Sequence, residues 1–382
     1  MKEGKFEITL RELLERRCTF HRSASEECEQ RWDRIAKPID GLGELEKMTA
    51  KIAGMTGSAD VRIDRRAVAV MCGDNGVVRE GVTQTGQEVT AQVTENIAKG
   101  ISSVCLMAKA AKTDVFAVDL GVAAEFGTSL RTERKPSVLS AGLPPSGRVE
   151  KGRIADKKVA SGTGNLCREP AMSREQAALA VCRGMESVRE MADQGIRIIA
   201  SGEMGIGNTT TAGAVAACLA DLPPERTAGR GAGLSADGVR RKAEVIRRAF
   251  SLHRPDPADA LDVLSKVGGY DIAGMTGLFL GGALVGIPVV VDGAVSAAAA
   301  ALAAVLCPGC EDFMLASHEG REPASGILLK HLGLKPVIHA GLALGEGTGA
   351  VMLFPLLDLA LSLYSENITF EEVEIEAYQR LK

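Results

Sequence analysis

The chain has 382 residues, of which 46% are hydrophobic but only 3% aromatic, and a formal net charge of -4. That composition supports a sizeable core of small aliphatic side chains, and the lack of a basic stripe interleaved with aromatic residues argues against nucleic acid as a partner. The first residues, MKEGKFEITLRELLERR, are charged throughout, where a secretory signal carries an apolar core of about 7–15 residues, so a cytoplasmic protein is expected.

Helical spacing runs through residues 10–17, a stretch around Trp32, and residues 41–52, where Leu42, Leu45 and Met48 recur on one face. These predict a small helical domain over 1–60, beside a large domain over 61–363. From Ala67 the texture changes to short β-rich runs, AVAVMC, DVFAVDL, IRIIASG and IPVVVDG, separated by helical stretches. That alternation predicts an α/β fold, a parallel sheet with helices on both faces. Residues 122–165 dissolve into Gly, Pro, Ser, Lys and Arg, and are expected to form a long surface connection or a lid. Ser173, with Glu175 and Gln176 following, caps a helix that runs to about Gln194. Residues 272–291 are apolar enough to raise the question of a membrane span, but five glycines and Pro288 divide them into a Gly-rich helix and a buried strand, and no membrane partner is expected. Nine scattered cysteines fit reduced thiols, and Cys307 and Cys310 flank a Pro-Gly turn without a second pair to make a zinc site.

In a sheet of this kind ligands bind beyond the carboxyl ends of the strands. The loops there read GDNGVVREGVT, DLGV, SGEMGIGNTTT and VDGAVS, each with a carboxylate within two residues of a glycine. The third, Gly202 to Thr211, runs from a strand into a helix beginning around Thr210. Backbone N–H groups at such a helix start suit a phosphate monoester, although a plain tight turn accounts for the glycines equally well. Its spacing matches neither a dinucleotide fingerprint nor a P-loop. Gly345-Glu346-Gly347-Thr348-Gly349 leads into a second apolar helix, and Glu346 reads either as a general base or as a cap of that helix. His331 and His339 read as ordinary helix or strand residues, His318 as a pocket residue or a satisfied loop histidine. Lys242, on a helix over 237–250, is expected on a solvated face unless that helix borders the phosphate site. No histidine spacing suggests a metal.

Taken together these segments resemble the nicotinate-nucleotide:dimethylbenzimidazole phosphoribosyltransferase family of cobalamin biosynthesis. KPIDGLGELE looks like the family's KPxGSLGxLE, and GDNGVVREGVT like its ADHGVxxEGV. GEMGIGNTTTA, DVLSKVGGYDIAGMTGLFLGGA, PVVVDG and LGEGTGAVMLFPLLDLA correspond almost residue for residue. The resemblance implies a Rossmann-like large domain, a small helical domain assembled from segments outside it and completed by residues 364–382, a dimer, and no cofactor, since nicotinate mononucleotide is a substrate. It implies Glu346 as the base that takes a proton from an aromatic acceptor and Glu203 as the residue that orients acceptor and ribose. It places the nucleotide phosphate and ribose at Gly205, Gly207, Asn208, Lys242, Gly345 and Gly347, and the acceptor at Asn75, Arg79 and Met204. Asp292, Ser317 and Gly320 lie in matched segments near the site.

The sequence also departs from the family pattern. Ala343 stands where an arginine precedes LGEG, Gly320 where a serine is expected, Asn75 in place of histidine, and Arg79 where a small residue is common. Three readings follow: transfer to 5,6-dimethylbenzimidazole or a related base; the same transfer to phenolic acceptors by one subunit of a heterodimer of paralogues; or a scaffold subunit of such a pair with little turnover of its own.

Overall fold

The computed structural model describes residues 4–380. Its main sheet contains β1 (Arg66–Gly73), β2 (Asp114–Gly121), β3 (Ile154–Asp156), β4 (Ile198–Met204), β5 (Val289–Val291) and β6 (Met314–Ala316), in the order β3-β2-β1-β4-β5-β6, all parallel. This is the Rossmann-like arrangement, with the strand order reversing between β1 and β4 and a crevice beyond their carboxyl ends. Every residue of β1 is buried, as a strand covered on both faces requires.

The alternation along β1 sorts the helices. Beyond the N-terminal α1 (Lys5–Leu14), α2 (Arg22–Arg34) and α3 (Glu44–Thr56) come α4 (Glu88–Ala98), α5 (Ser103–Ala110), α6 (Arg174–Asp193), α7 (Asn208–Leu219), α8 (Ala236–His253), α9 (Ala260–Val267), α10 (Tyr270–Val285), α11 (Ala294–Leu306), α12 (Pro323–His331) and α13 (Thr348–Glu366). Met71 faces Gly274 of α10, while Val68 faces Gly347 at the start of α13, and residues three apart on a strand point to opposite faces. Thus α10, backed by α6, covers one face, and α4, α5 and α13 the other.

The glycines of α10 are explained by its neighbour. A Cβ on Gly184 of α6 would strike the Gly274 carbonyl oxygen and lie 2.8 Å from the Gly277 Cα, and Gly281 meets Val188 at 2.8 Å. Two helices this close leave no room for side chains at the crossing. The residue 272–291 stretch is accordingly a buried core helix followed by β5. Among the described helices α13 is long and apolar enough to cross a membrane, and half of it is buried inside the protein. The expected Ser173 cap is a full capping box with Gln176.

Residues 122–165 form a connection that supplies the edge strand β3 and a small antiparallel ribbon, Arg134–Lys135 with Ser146–Gly147. The fully buried Lys157 ammonium pins it to α6, at 3.0 Å from both Glu186 Oε2 and Glu190 Oε1. Burial opposes the charge on Glu186, but Lys157, with help from Ser137 and Arg183, overcomes it and draws that carboxyl down to about 2.

A satellite core joins α2, α3 and the end of α13 through Cys28, Trp32, Ile35, Ala50, Ala53, Ala59 and Tyr364. Trp32 Nε1 donates to Thr49 Oγ1 (2.8 Å) and Tyr364 OH to the Ala59 carbonyl (2.9 Å). Residues 1–3 and 381–382 of the expected small domain lie outside the described residues.

Candidate active site

Beyond the carboxyl end of β4 the chain turns through Gly205-Ile206-Gly207 into α7, which begins at Asn208, two residues before the expected start. Gly207 takes φ +98, and a Cβ on Gly205 would run into the Gly73 carbonyl oxygen; only glycine meets both demands. The turn is thereby pressed onto the end of β1.

Glu203, the penultimate residue of β4, forms the floor of a cavity of about 290 Å³. Its Oε2 accepts a hydrogen bond from Asn208 Nδ2, and the same amide donates to Asp271 Oδ2 at 2.9 Å. Asn208 therefore bridges two buried carboxyls. Burial pushes Glu203 up to about 8, against the opposing Asn208 hydrogen bond, and Asp271 up to about 7 for the same reason. Near neutral pH Glu203 carries its proton and can donate a hydrogen bond into the cavity.

The opposite wall is the Gly345-Glu346-Gly347 turn, three consecutive residues at positive φ (+85, +59 and +90). Glycine reaches this region freely, whereas glutamate is held there at a cost of about 1–2 kcal/mol. The conformation brings the Glu346 N–H to 3.4 Å from Glu203 Oε1 and sends the Glu346 carboxylate to the first turn of α5, where Oε2 accepts the Val104 N–H at 3.1 Å. Glu346 thus caps α5 rather than α13, the helix that follows it.

A third segment follows β5 and β6. Asp292 Oδ1 accepts the Ala350 N–H at 2.9 Å and lies 4.0 Å from His318 Nδ1, which is 2.9 Å from Ser317 Oγ. Burial pushes Asp292 upward, and His318 opposes the shift. On the α8 side Lys242 is buried, not solvated, with Nζ 2.6 Å from Thr209 Oγ1. Burial lowers it to about 8, opposed by Glu322, because α8 does border the α7 turn.

Glu203, Met204, Gly205, Asn208, Asp292, Gly320, Gly345 and Glu346 all line this cavity. Gly207 and Gly347 shape its turns from behind, and Lys242 and Ser317 stand one layer back. Two acceptor-side expectations differ. Asn75 is buried beneath Gly205 and Gly207, and Arg79, on the Gly76–Glu80 turn, faces a separate depression beside Glu169 and Tyr270; the tight seat of the α7 turn on β1 keeps both off the wall. Residues 122–165 contribute nothing to the wall. His318 and Thr209 do line it, and Asp271 braces it; an acidic residue opening an otherwise apolar Gly-rich helix was the available signal for Asp271. Among the described residues no three His, Cys, Asp or Glu side chains are grouped as a metal site.

Residues 19–375 match the phosphoribosyltransferase family. The chain belongs to that family. Among its relatives, the nicotinate-nucleotide-dimethylbenzimidazole phosphoribosyltransferase of Acetivibrio thermocellus is 39% identical over 351 residues, 92% of this chain and 93% of the relative. The protein of the same name from Clostridium acetobutylicum is 39% identical over 354 residues, 93% and 94% of the two chains. Among solved structures, CobT from Thermus thermophilus superposes with a TM-score of 0.82 at 36% identity, covering 93% of this chain and 99% of that one. The protein is accordingly a phosphoribosyltransferase with the α/β fold of those relatives.

Proposed function

We propose that this phosphoribosyltransferase moves the phosphoribosyl group of nicotinate mononucleotide to 5,6-dimethylbenzimidazole or a similar base, releasing nicotinate and forming the α-ribotide used in cobamide assembly. The observation that carries this reading is the meeting of Glu203 and the Glu346 turn at one cavity, 3.4 Å apart, in a family member whose relatives are named for these substrates. The pyridinium of nicotinate mononucleotide is a cationic leaving group. As its bond to the anomeric carbon breaks, the acceptor nitrogen bonds from the opposite face and the β-linkage becomes α. The acceptor's N–H proton passes to Glu346, while protonated Glu203 donates a hydrogen bond that orients the incoming ring or the ribose. Gly205, Gly207 and Asn208 at the start of α7, backed by Lys242 from α8, hold the phosphate. Orientation of two bound substrates supplies most of the acceleration.

Arg79 and Asn75, whose identities favoured a phenolic acceptor in the sequence, stand off the cavity wall, so the benzimidazole reading is preferred. We further propose a cytoplasmic dimer. Ile101 and Leu106 beside and on α5, and Met352 and Leu359 one heptad apart on α13, expose apolar side chains suited to burial between subunits.

The test is to incubate the purified chain with nicotinate mononucleotide and either benzimidazole or phenolic acceptors. A benzimidazole α-ribotide is expected; phenolic products alone would replace the acceptor, and no product with any acceptor would favour a scaffold. Glu346→Gln is expected to fold normally and lower turnover by about two orders of magnitude, the size of a general-base contribution; unchanged turnover would remove Glu346 from the mechanism.

A further inference from the structure

Four carboxyl side chains, Glu203, Asp292, Glu322 and Glu346, line the cavity, and among its lining residues Arg321 is the one lysine or arginine. Lys242 stands behind Thr209. A mononucleotide carries a phosphate dianion, and nicotinate adds a carboxylate, so even with Glu203 protonated a wall lined by Asp292, Glu322 and Glu346 needs a cation in reach. Arg321 is exposed, and among the described residues its guanidinium enters none of the ion pairs. Other arginines of the chain are held by acids, as Arg66 is by Asp358 and Arg183 by Glu186; Arg321 differs from the rest in lining the cavity. An arginine left free at the mouth of a cavity has its planar five-donor fork available for an oxyanion.

Its backbone fixes where that fork starts. The Arg321 N–H donates to the Leu342 carbonyl at 2.9 Å, stitching the loop after β6 to the loop that carries Ala343, and both residues line the cavity. Residue 343 is the position where the sequence lacks the arginine that commonly precedes LGEG. We infer that Arg321 binds an oxyanion of the mononucleotide, supplying from the neighbouring loop the cation that position 343 does not carry. This rests on the mononucleotide reading above. The oxyanion is either the phosphate or the nicotinate carboxylate, which share the same recognition chemistry.

Calorimetric titration of the full chain with nicotinate mononucleotide tests it without requiring turnover. Arg321→Ala should weaken binding about 10–100-fold, the range for losing a charge-assisted hydrogen-bonded contact, and Arg321→Lys should fall between. Adding Ala343→Arg to Arg321→Ala should recover most of the loss. Nicotinamide mononucleotide lacks the carboxylate and nicotinate riboside lacks the phosphate. A penalty that persists with the first and vanishes with the second assigns Arg321 to the phosphate, and the reverse assigns it to the carboxylate. Arg321→Ala affinities equal to wild type for all three ligands would overturn the inference while leaving the mononucleotide reading intact. Failure of Ala343→Arg to rescue would overturn the exchange between the two loops. A wild-type chain that binds none of the three would overturn both readings.

Discussion

Replacing Glu203 by glutamine removes one titrating proton from the floor of the cavity and leaves the shape almost unchanged. An unperturbed glutamate titrates at 4.5, and burial raises Glu203 to about 8. Between those values the folded protein binds a proton that the unfolded chain has released. The contribution to stability is therefore complete below about pH 4.5 and is lost as pH rises through about 8. At 1.36 kcal/mol per pH unit the separation corresponds to roughly 5 kcal/mol for a wholly enclosed carboxyl. Glu203 is partly open to the cavity, and solvent screening there reduces the expected effect to the order of 2 kcal/mol. Urea denaturation of wild type and Glu203→Gln at intervals from pH 5 to pH 9 gives the difference directly, with most other titrating groups cancelling. Wild type should lose about 2 kcal/mol relative to the variant across that range. Asp271, raised to about 7 through the same burial, stays in both proteins, and removing the neighbouring charge should move its residual titration lower. A difference that is flat with pH, or that grows in favour of wild type, would refute the claim that Glu203 is protonated in the folded protein.

Two further predictions concern the scaffold. Lys157→Met leaves Glu186 and Glu190 buried without their shared ammonium and should destabilise the fold by about 3–5 kcal/mol, with limited proteolysis appearing first in residues 134–157; stability within about 0.5 kcal/mol of wild type would mean water reaches the pair. Gly184→Ala forces a methyl against the backbone of α10 and should lower the unfolding free energy by about 1–3 kcal/mol in chemical denaturation, the usual cost of overpacking. An unaffected Gly184→Ala would show that α6 and α10 separate easily.

The sheet was legible because its strands are short apolar runs between helical stretches, and the candidate site was legible because its glycines and carboxylates cluster at strand ends. The edge strand β3 was not: only Ile154–Asp156 pair with β2, too few residues to leave an alternation, and what holds the segment is Lys157 reaching acids on α6. Lys242 was hidden for a related reason. It lies on an amphipathic helix whose polar positions ordinarily meet solvent, and only the docking of α8 against the α7 turn buries it. The capping role of Glu346 at α5 joins residues 242 positions apart, a distance over which local sequence carries no signal. From sequence alone the α10 segment reads as a Gly-rich helix, but the purpose of its glycines becomes plain only beside Gly184 of α6.

Glu346 ties the chemistry to the architecture more tightly than its neighbours do. Its left-handed backbone is strained by itself, yet it is flanked by glycines that absorb the turn, anchored by its N–H to Glu203 and by its carboxylate to the start of α5. Each contact selects a different structural element: β4 for the floor, α13 for the turn, α5 for the carboxylate. The carboxyl proposed as the base is therefore aimed by three elements at once, and its orientation is set by the fold itself. The helix it caps is also the one whose outer side exposes Leu106 beside α13. In the dimer proposed above, burying that surface against a second subunit would steady α5, and with it the Glu346 carboxylate that α5 holds, so the proposed assembly and the alignment of the proposed base are linked.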